Sequence, residues 1–210
     1  MDYAFTQLEK LPEVLGKADE PLVVMPFIDA ELAHRSALQL ARRAGTPGLL
    51  LCVQDARRSG FVAVANAVFR RSVAPRFGYV AQDAFAGRLW LRLALEAIEK
   101  RDGGLLGFND GKWGGKLAGF GLASRDWAAA NYEGDLFFPG YKSHYADTEL
   151  TLIAMQQQKY RFEPLAVLIE VDWDKEAGTV HPDDRLLYYK RAQGHFDRKV
   201  TNPGLRRMFK

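Results

Sequence analysis

Pro21-Leu22-Val23-Val24-Met25-Pro26-Phe27 is a short apolar run closed by a proline, the pattern of a strand buried on both faces. Directly after it, Ala30–Arg43 sets Ala33, Ala37, Leu40 and Ala41 on one helical face, with Arg35, Gln39, Arg42 and Arg43 elsewhere. A strand is therefore followed by a crossover helix. The unit recurs downstream. Residues 48–55 read as a second buried strand, 59–71 as a second helix, 76–83 as a third strand, and 88–100 as a long helix closed by Asp102-Gly103-Gly104. Strands separated by helices pair in parallel through right-handed crossovers, because parallel neighbours cannot be joined by a tight turn. The expected architecture is α/β, a doubly wound and mainly parallel mixed sheet flanked by helices.

Beyond Leu105 the texture changes, with Gly107, Gly111, Gly114, Gly115, Gly119, Gly121, Gly134 and Gly140 crowded into short segments. Residues 117–123 and 164–171 read as strands and 147–160 as a helix. Loops of this kind on a rigid sheet are where an acceptor pocket is built.

Composition narrows the class. At 210 residues the chain is long enough for one good core, and 48% hydrophobic with 26% charged residues rules out disorder and fibrous repeats. The formal charge of +3 is too small to argue for nucleic acid. Its position is more informative: Lys190, Arg191, Arg198, Lys199, Arg206, Arg207 and Lys210 stand against the single acid Asp197. This divides the chain into a domain at 1–189 and a basic tail at 190–210. The tail reads as a solvated surface, or as one that meets anionic lipid or a phosphate-bearing acceptor. No run approaches ~20 apolar residues and Met1-Asp2-Tyr3 does not open a signal peptide, so the expected location is cytoplasmic, with the tail at the inner membrane surface. Cys52, the only cysteine, lies in an apolar run and permits no intrachain disulfide.

Several chemistries fall on motif grounds. The four histidines have no zinc spacing, no phosphate-binding Gly-x-x-x-x-Gly-Lys-Ser/Thr is present, no Gly-x-Gly-x-x-Gly follows an early strand, and Gly-x-Ser-x-Gly is absent. What remains is the carboxyl ends of the strands, where open parallel sheets bind ligands. Pro26-Phe27, Gln54-Asp55 and Gln82-Asp83 stand there. Alone, either Asp is as readily a turn residue as a ligand for a base, a ribose or a hard cation.

Order and spacing add to this. Val23-Val24-Met25-Pro26-Phe27, Cys52-Val53-Gln54-Asp55, Ala63-Val64-Ala65-Asn66, Tyr79-Val80-Ala81-Gln82-Asp83 and His144-Tyr145-Ala146-Asp147-Thr148-Glu149-Leu150 follow one another as the motifs of a family-2 glycosyltransferase do. The stretch from Leu22 to Val171 resembles that family, whose fold is termed GT-A. The resemblance implies that Pro26, Phe27, Asp55, Asn66, Gln82 and Asp83 meet a nucleotide-sugar donor. It implies that Asp83 holds a divalent cation, Mn²⁺ or Mg²⁺, with Ala81 in the place of the first acid of the Asp-x-Asp motif. It also implies that Asp147 is the catalytic base, with Ala146 replacing a Glu, and that transfer to an acceptor hydroxyl inverts the anomeric centre. Arg125-Asp126-Trp127 resembles the corner that faces the acceptor.

Plainer readings stand beside these. Asp147 fits a helix N-cap and Trp127 a core residue, while Asn109-Asp110-Gly111 reads as an Asx turn. The expected partners are a nucleotide-sugar donor, a glycan or lipid-linked acceptor, a membrane surface and a second copy in a homo-oligomer, with no nucleic acid. The alternative function is a non-catalytic nucleotide-sugar-binding homologue, since both acidic pairs have lost a member to alanine.

Overall fold

The computed structural model describes residues 1–100, 102–171 and 181–209. It begins with a strand that the sequence reading leaves unassigned, β1 (Asp2–Gln7), whose Tyr3 and Phe5 alternate with Asp2, Ala4 and Thr6. Then come β2 (Leu22–Phe27), α1 (Ala30–Arg43), β3 (Leu49–Gln54), α2 (Phe61–Arg71) and β4 (Arg76–Tyr79). These are the strand and helix units expected. Every residue of β2 is buried, and Asp29 caps α1 by accepting from the backbone N–H of Leu32 at 3.0 Å.

The strand expected at 76–83 is split. After Tyr79 the chain turns at Gln82 and Asp83, and β5 (Ala84–Ala86) crosses to the other edge of the sheet. There follow α3 (Trp90–Glu99), β6 (Leu105–Asn109), β7 (Gly121–Ser124), α4 (Arg125–Ala129), α5 (Ala146–Gln156), β8 (Tyr160–Glu170), α6 (Pro182–Gln193) and the short α7 (Pro203–Arg206). The eight strands form one sheet in the order β1-β3-β2-β4-β7-β6-β8-β5. Pairing is parallel among β1, β3, β2 and β4, and again between β6 and β8, while β7 runs antiparallel between β4 and β6. Pro26 is tolerated in this inner strand because β2 pairs with β4 only from Leu22 to Val24.

Alternate strand residues serve opposite faces. Leu22, Val24, Leu51 and Val53 join the cluster under α2 and α5, whereas Val23, Met25, Leu50 and Cys52 join the one under α1 and α3. Burial pushes the Cys52 thiol up to about 12, so it acts as a small hydrophobe.

Part of the stretch read as a basic tail at 190–210, and the helix that leads into it, packs on the core. Pro182 at the first turn, with Asp183 and Asp184 behind it, starts α6, and Tyr188, Phe196 and Val200 are fully buried. The chain from Pro182 to Phe209 packs on the core, and Arg191 turns inward to Glu149 of α5. Lys210 lies outside the described residues. Among the described residues no helix is long and apolar enough to cross a membrane.

Candidate active site

The carboxyl ends of β4, β6 and β8 converge on a cavity of about 690 Å³, within the usual range for a small-molecule site. Tyr79 and Ala81 reach it from β4, the Asp110–Trp113 loop from β6, Glu170 from β8, and residues 143–148 from the start of α5. Arg185, Tyr189, Met208 and Phe209 of the C-terminal segment also line it, together with Phe61, Leu117, Gly119, Phe120 and Phe137. The cavity joins the strand ends to the portion of chain that composition had set aside.

Asp147 stands at the centre of this arrangement. The residue preceding α5 is Tyr145, held at φ 65° with no side-chain cap, so Asp147 lies inside the first turn and not at the N-cap. Its Oδ1 accepts from the Thr148 backbone N–H at 2.8 Å, and its carbonyl accepts from the Thr151 hydroxyl at 2.7 Å. Thr151 Oγ1 in turn accepts from the Ala118 N–H at 3.1 Å, fastening this turn to the strand-side wall. Burial raises the Asp147 carboxyl to about 6, against the opposing pull of the Thr148 bonds, and the charge of Glu170 adds to the rise.

The loop that delivers α5 is itself organised by one buried acid. Asp184, 2% exposed, accepts from the backbone N–H groups of Lys142, Ser143 and His144 at 2.8–2.9 Å. Below the cavity, the Tyr79 hydroxyl donates to the Ala118 carbonyl at 2.7 Å. Gly121 makes room for that ring, since a β-carbon there would overlap the phenol.

Asp110 is both a turn residue and a cavity residue. Its Oδ1 accepts from the N–H groups of Lys112 and Trp113, each at 2.9 Å, which is the Asx-type turn the sequence suggests. It is also 6% exposed and lines the cavity opposite Gly119. A β-carbon on Gly119 would sit 3.5 Å from Asp110 Oδ2 and 4.0 Å from Asp147 Oδ2, so both carboxylates lie beside Gly119. Asp110, Trp113, Glu170, Arg185 and Tyr189 were not among the residues singled out for the site. Only the Asx signal at Asp110 pointed toward this loop.

The other candidates are placed as follows. Asp83 sits in the turn between β4 and β5, two residues from Ala81 of the cavity wall, and its carbonyl accepts from the Val171 N–H at 3.1 Å. The side-chain oxygen of Gln82 accepts from Ile28 N–H at 2.8 Å and Asp29 N–H at 3.1 Å, pinning the loop after β2. Asp55 accepts from Ser59 N–H on one oxygen and from Gly60 N–H on the other, both at 2.8 Å, at the entrance to α2. Pro26 and Phe27 are buried in β2.

Asn66 is 2% exposed and bonds both the carbonyl and the N–H of Phe137, so it meets the cavity only through that ring. Arg125, Asp126 and Trp127 belong to α4 and do not line the cavity. Arg125 donates to the Ser72 carbonyl at 2.7 Å, and Trp127 donates to the Gln157 side chain at 2.6 Å.

A hard cation needs few protein ligands when a diphosphate supplies the rest. Asp83 carries a carboxylate two residues from Ala81 of the cavity wall, Ala81 carries none, and the Gln82 oxygen is taken by two backbone N–H groups. Among the described residues there is no group of three or more His, Cys, Asp or Glu side chains that could hold an ion unaided.

No protein-family model matches the sequence, and no curated protein matches it. Solved structures do. S. aureus TarS has a TM-score of 0.63 and 12% identity, covering 85% of this chain and 40% of that one. TarS 1–349 in complex with UDP has a TM-score of 0.57 at 11% identity, over 82% of this chain and 63% of that chain. The mannosyltransferase PcManGT from Pyrobaculum calidifontis, in complex with GDP-Man and Mn²⁺, has a TM-score of 0.60 at 14% identity, over 94% and 71%. This chain thus spans about two fifths of TarS and under two thirds of its 1–349 form. What it shares with these proteins, across most of its own length, is the mixed α/β, GT-A-like fold of glycosyltransferases.

Proposed function

We propose that this chain is a nucleotide-sugar-dependent glycosyltransferase in which Asp147 takes the proton of an acceptor hydroxyl. The observation that carries this reading is the placement of the Asp147 carboxylate in a cavity at the carboxyl ends of the strands, with burial holding its carboxyl at about 6. A base with that value is ionised at neutral pH and still close enough to it to accept a proton efficiently. The structural neighbours bound to UDP and to GDP-Man favour a nucleotide-sugar donor. As the acceptor oxygen bonds to the anomeric carbon, the bond to the departing nucleoside diphosphate breaks and the hydroxyl proton passes to Asp147. One displacement inverts the anomeric centre. The setting would be assembly of a glycan or surface polysaccharide.

Asp83 is the residue that would hold a divalent cation together with the donor's diphosphate. Such an ion neutralises charge that develops on the leaving group. The domain would be the whole of 1–209, since the basic segment supplies part of the cavity wall.

The test is release of nucleoside diphosphate from a panel of UDP- and GDP-sugars, with Mn²⁺, with Mg²⁺ and with EDTA. Turnover should require the cation, and Asp83→Ala should lower it on the order of 10²-fold. The loss of acid at Ala81 and Ala146 supports one other reading, a binder without turnover. It would show donor affinity that Asp83→Ala weakens, and no release in any variant.

A further inference from the structure

We propose that the acceptor is an uncharged carbohydrate, its ring stacked on Trp113 and its reacting hydroxyl set between Asp110 and Asp147; this rests on the glycosyltransferase reading of the same cavity. Trp113 is 45% exposed at the cavity, a large apolar surface left in water, and its ring meets Phe209 edge-on with centroids 6.1 Å apart. The Asx turn holds it there, because Asp110 Oδ1 takes the Trp113 N–H. An indole face of this kind suits the apolar face of a sugar ring, with polar groups at the edge.

The second observation is independent of the first. Asp110 is more than nine-tenths buried, and among the described residues both of its hydrogen bonds fall on Oδ1, which leaves Oδ2 beside Gly119, as Asp147 Oδ2 also is. Two carboxylate oxygens on the same stretch of cavity wall accept from hydroxyl donors and repel an anion. The rest of the lining keeps this sign. Carboxylates outnumber the permanent cations among the described lining residues, Asp110, Asp147 and Glu170 against Lys112 and Arg185, and Lys112 is paired with Glu170 at 3.0 Å. Arg185 lies over the Tyr189 ring at 5.9 Å. The basic side chain that enters the core nearby, Arg191, is committed to Glu149 and Asp197. Among the described residues, a phosphate-bearing acceptor therefore finds no uncommitted cluster of cations beside the base.

Asp110 then acts as a second acceptor-binding carboxylate. Asp110→Asn keeps an oxygen for the turn and replaces Oδ2 with an amide donor, which separates the two roles. The test uses saturation-transfer NMR on the whole protein. The probes are methyl glycosides of glucose, galactose, mannose and N-acetylglucosamine, beside glucose 6-phosphate and glycerol 3-phosphate, each with UDP or GDP present. Binding of UDP- or GDP-sugar is measured separately by calorimetry.

At least one neutral glycoside should show saturation, strongest on one ring face. Trp113→Ala should weaken it about ten-fold and Trp113→Phe less, while Asp110→Asn should weaken it with the thermal melt unchanged. Absence of any neutral glycoside signal, tighter binding of a phosphorylated probe, or affinity unaltered in Trp113→Ala would overturn the proposal. If no nucleotide-sugar binds by calorimetry, the glycosyltransferase reading itself fails, whatever the glycosides do.

Discussion

Asp147→Asn should lower sugar transfer by about 10²–10⁴-fold while leaving the protein folded, because on the proposed function the substitution removes the general base and little else. The asparagine oxygen can still accept from the Thr148 N–H that now bonds Asp147 Oδ1 at 2.8 Å, and the Thr151 bond to the backbone carbonyl at this position is untouched. The electrostatic consequence for stability has a definite sign. The folded-state carboxyl is raised from 3.8 to about 6, chiefly by burial, so the folded protein binds more protons than the unfolded chain between those values. The associated stability is fully present below about 4 and is lost as pH rises through about 6. At pH 7.5 the wild type carries a buried charge that the neutral amide of the variant does not, so Asp147→Asn melts at the same temperature or higher, and that advantage shrinks toward pH 4. Transfer assays beside thermal melts at the two pH values check both halves. A variant that is inactive only because it is unfolded contradicts the assignment.

Arg191→Met has the largest expected effect on stability, about 3–5 kcal/mol, because it leaves an unpaired charge in the core. Glu149 is 0% exposed and its carboxylate takes four donors. Arg191 reaches it through Nε at 2.7 Å and Nη2 at 2.6 Å, and the hydroxyls of Tyr132 and Tyr141 each donate at 2.9 Å. The guanidinium also lies over the Phe138 ring at 3.3 Å. Removing the arginine strands the carboxylate two residues from Asp147, at the helix turn that carries the proposed base. The melting temperature should fall by roughly 10 °C. The double variant Arg191→Met, Glu149→Leu should recover part of the loss, leaving the cost of two unsatisfied tyrosine hydroxyls. Equal losses in the single and double variants would show that packing, not the ion pair, holds α6 to α5.

Much of the sheet was legible because parallel strands buried on both faces read as unbroken apolar runs, as at Leu22–Phe27 and Leu49–Gln54. The helix at Ala30–Arg43 has the limits its periodicity and Asp29 cap imply. β1 escaped notice because it is an edge strand whose exposed first half carries no continuous apolar signal. In β6, Gly107 breaks the run at Leu105, Leu106 and Phe108, yet that glycine is required because a β-carbon would overlap the Tyr160 hydroxyl. The split of the strand after Tyr79 follows from a register with β2 that sequence does not display.

In the site, local sequence alone favours a cap for Asp147 and only the family resemblance favours a base; the N-cap position falls on Tyr145 instead. Asp110 looked like a turn because it is one. Its second oxygen acquires meaning only when Gly119, nine residues on, brings the α5 wall opposite. Charge counting described the last segment as basic, but the inward turn of Arg191 depends on Glu149, 42 residues away.

The most direct measurement is the pH dependence of kcat/KM for sugar transfer between pH 4.5 and 8, in the wild type and in the residual activity of Asp147→Asn. The wild-type value should rise with pH through an inflection near 6, where the buried carboxyl loses its proton, and then level off. The variant's residual rate should lack that inflection. An inflection near 6 that persists in Asp147→Asn, or a wild-type profile flat across this range, would show that the proton of the acceptor goes elsewhere.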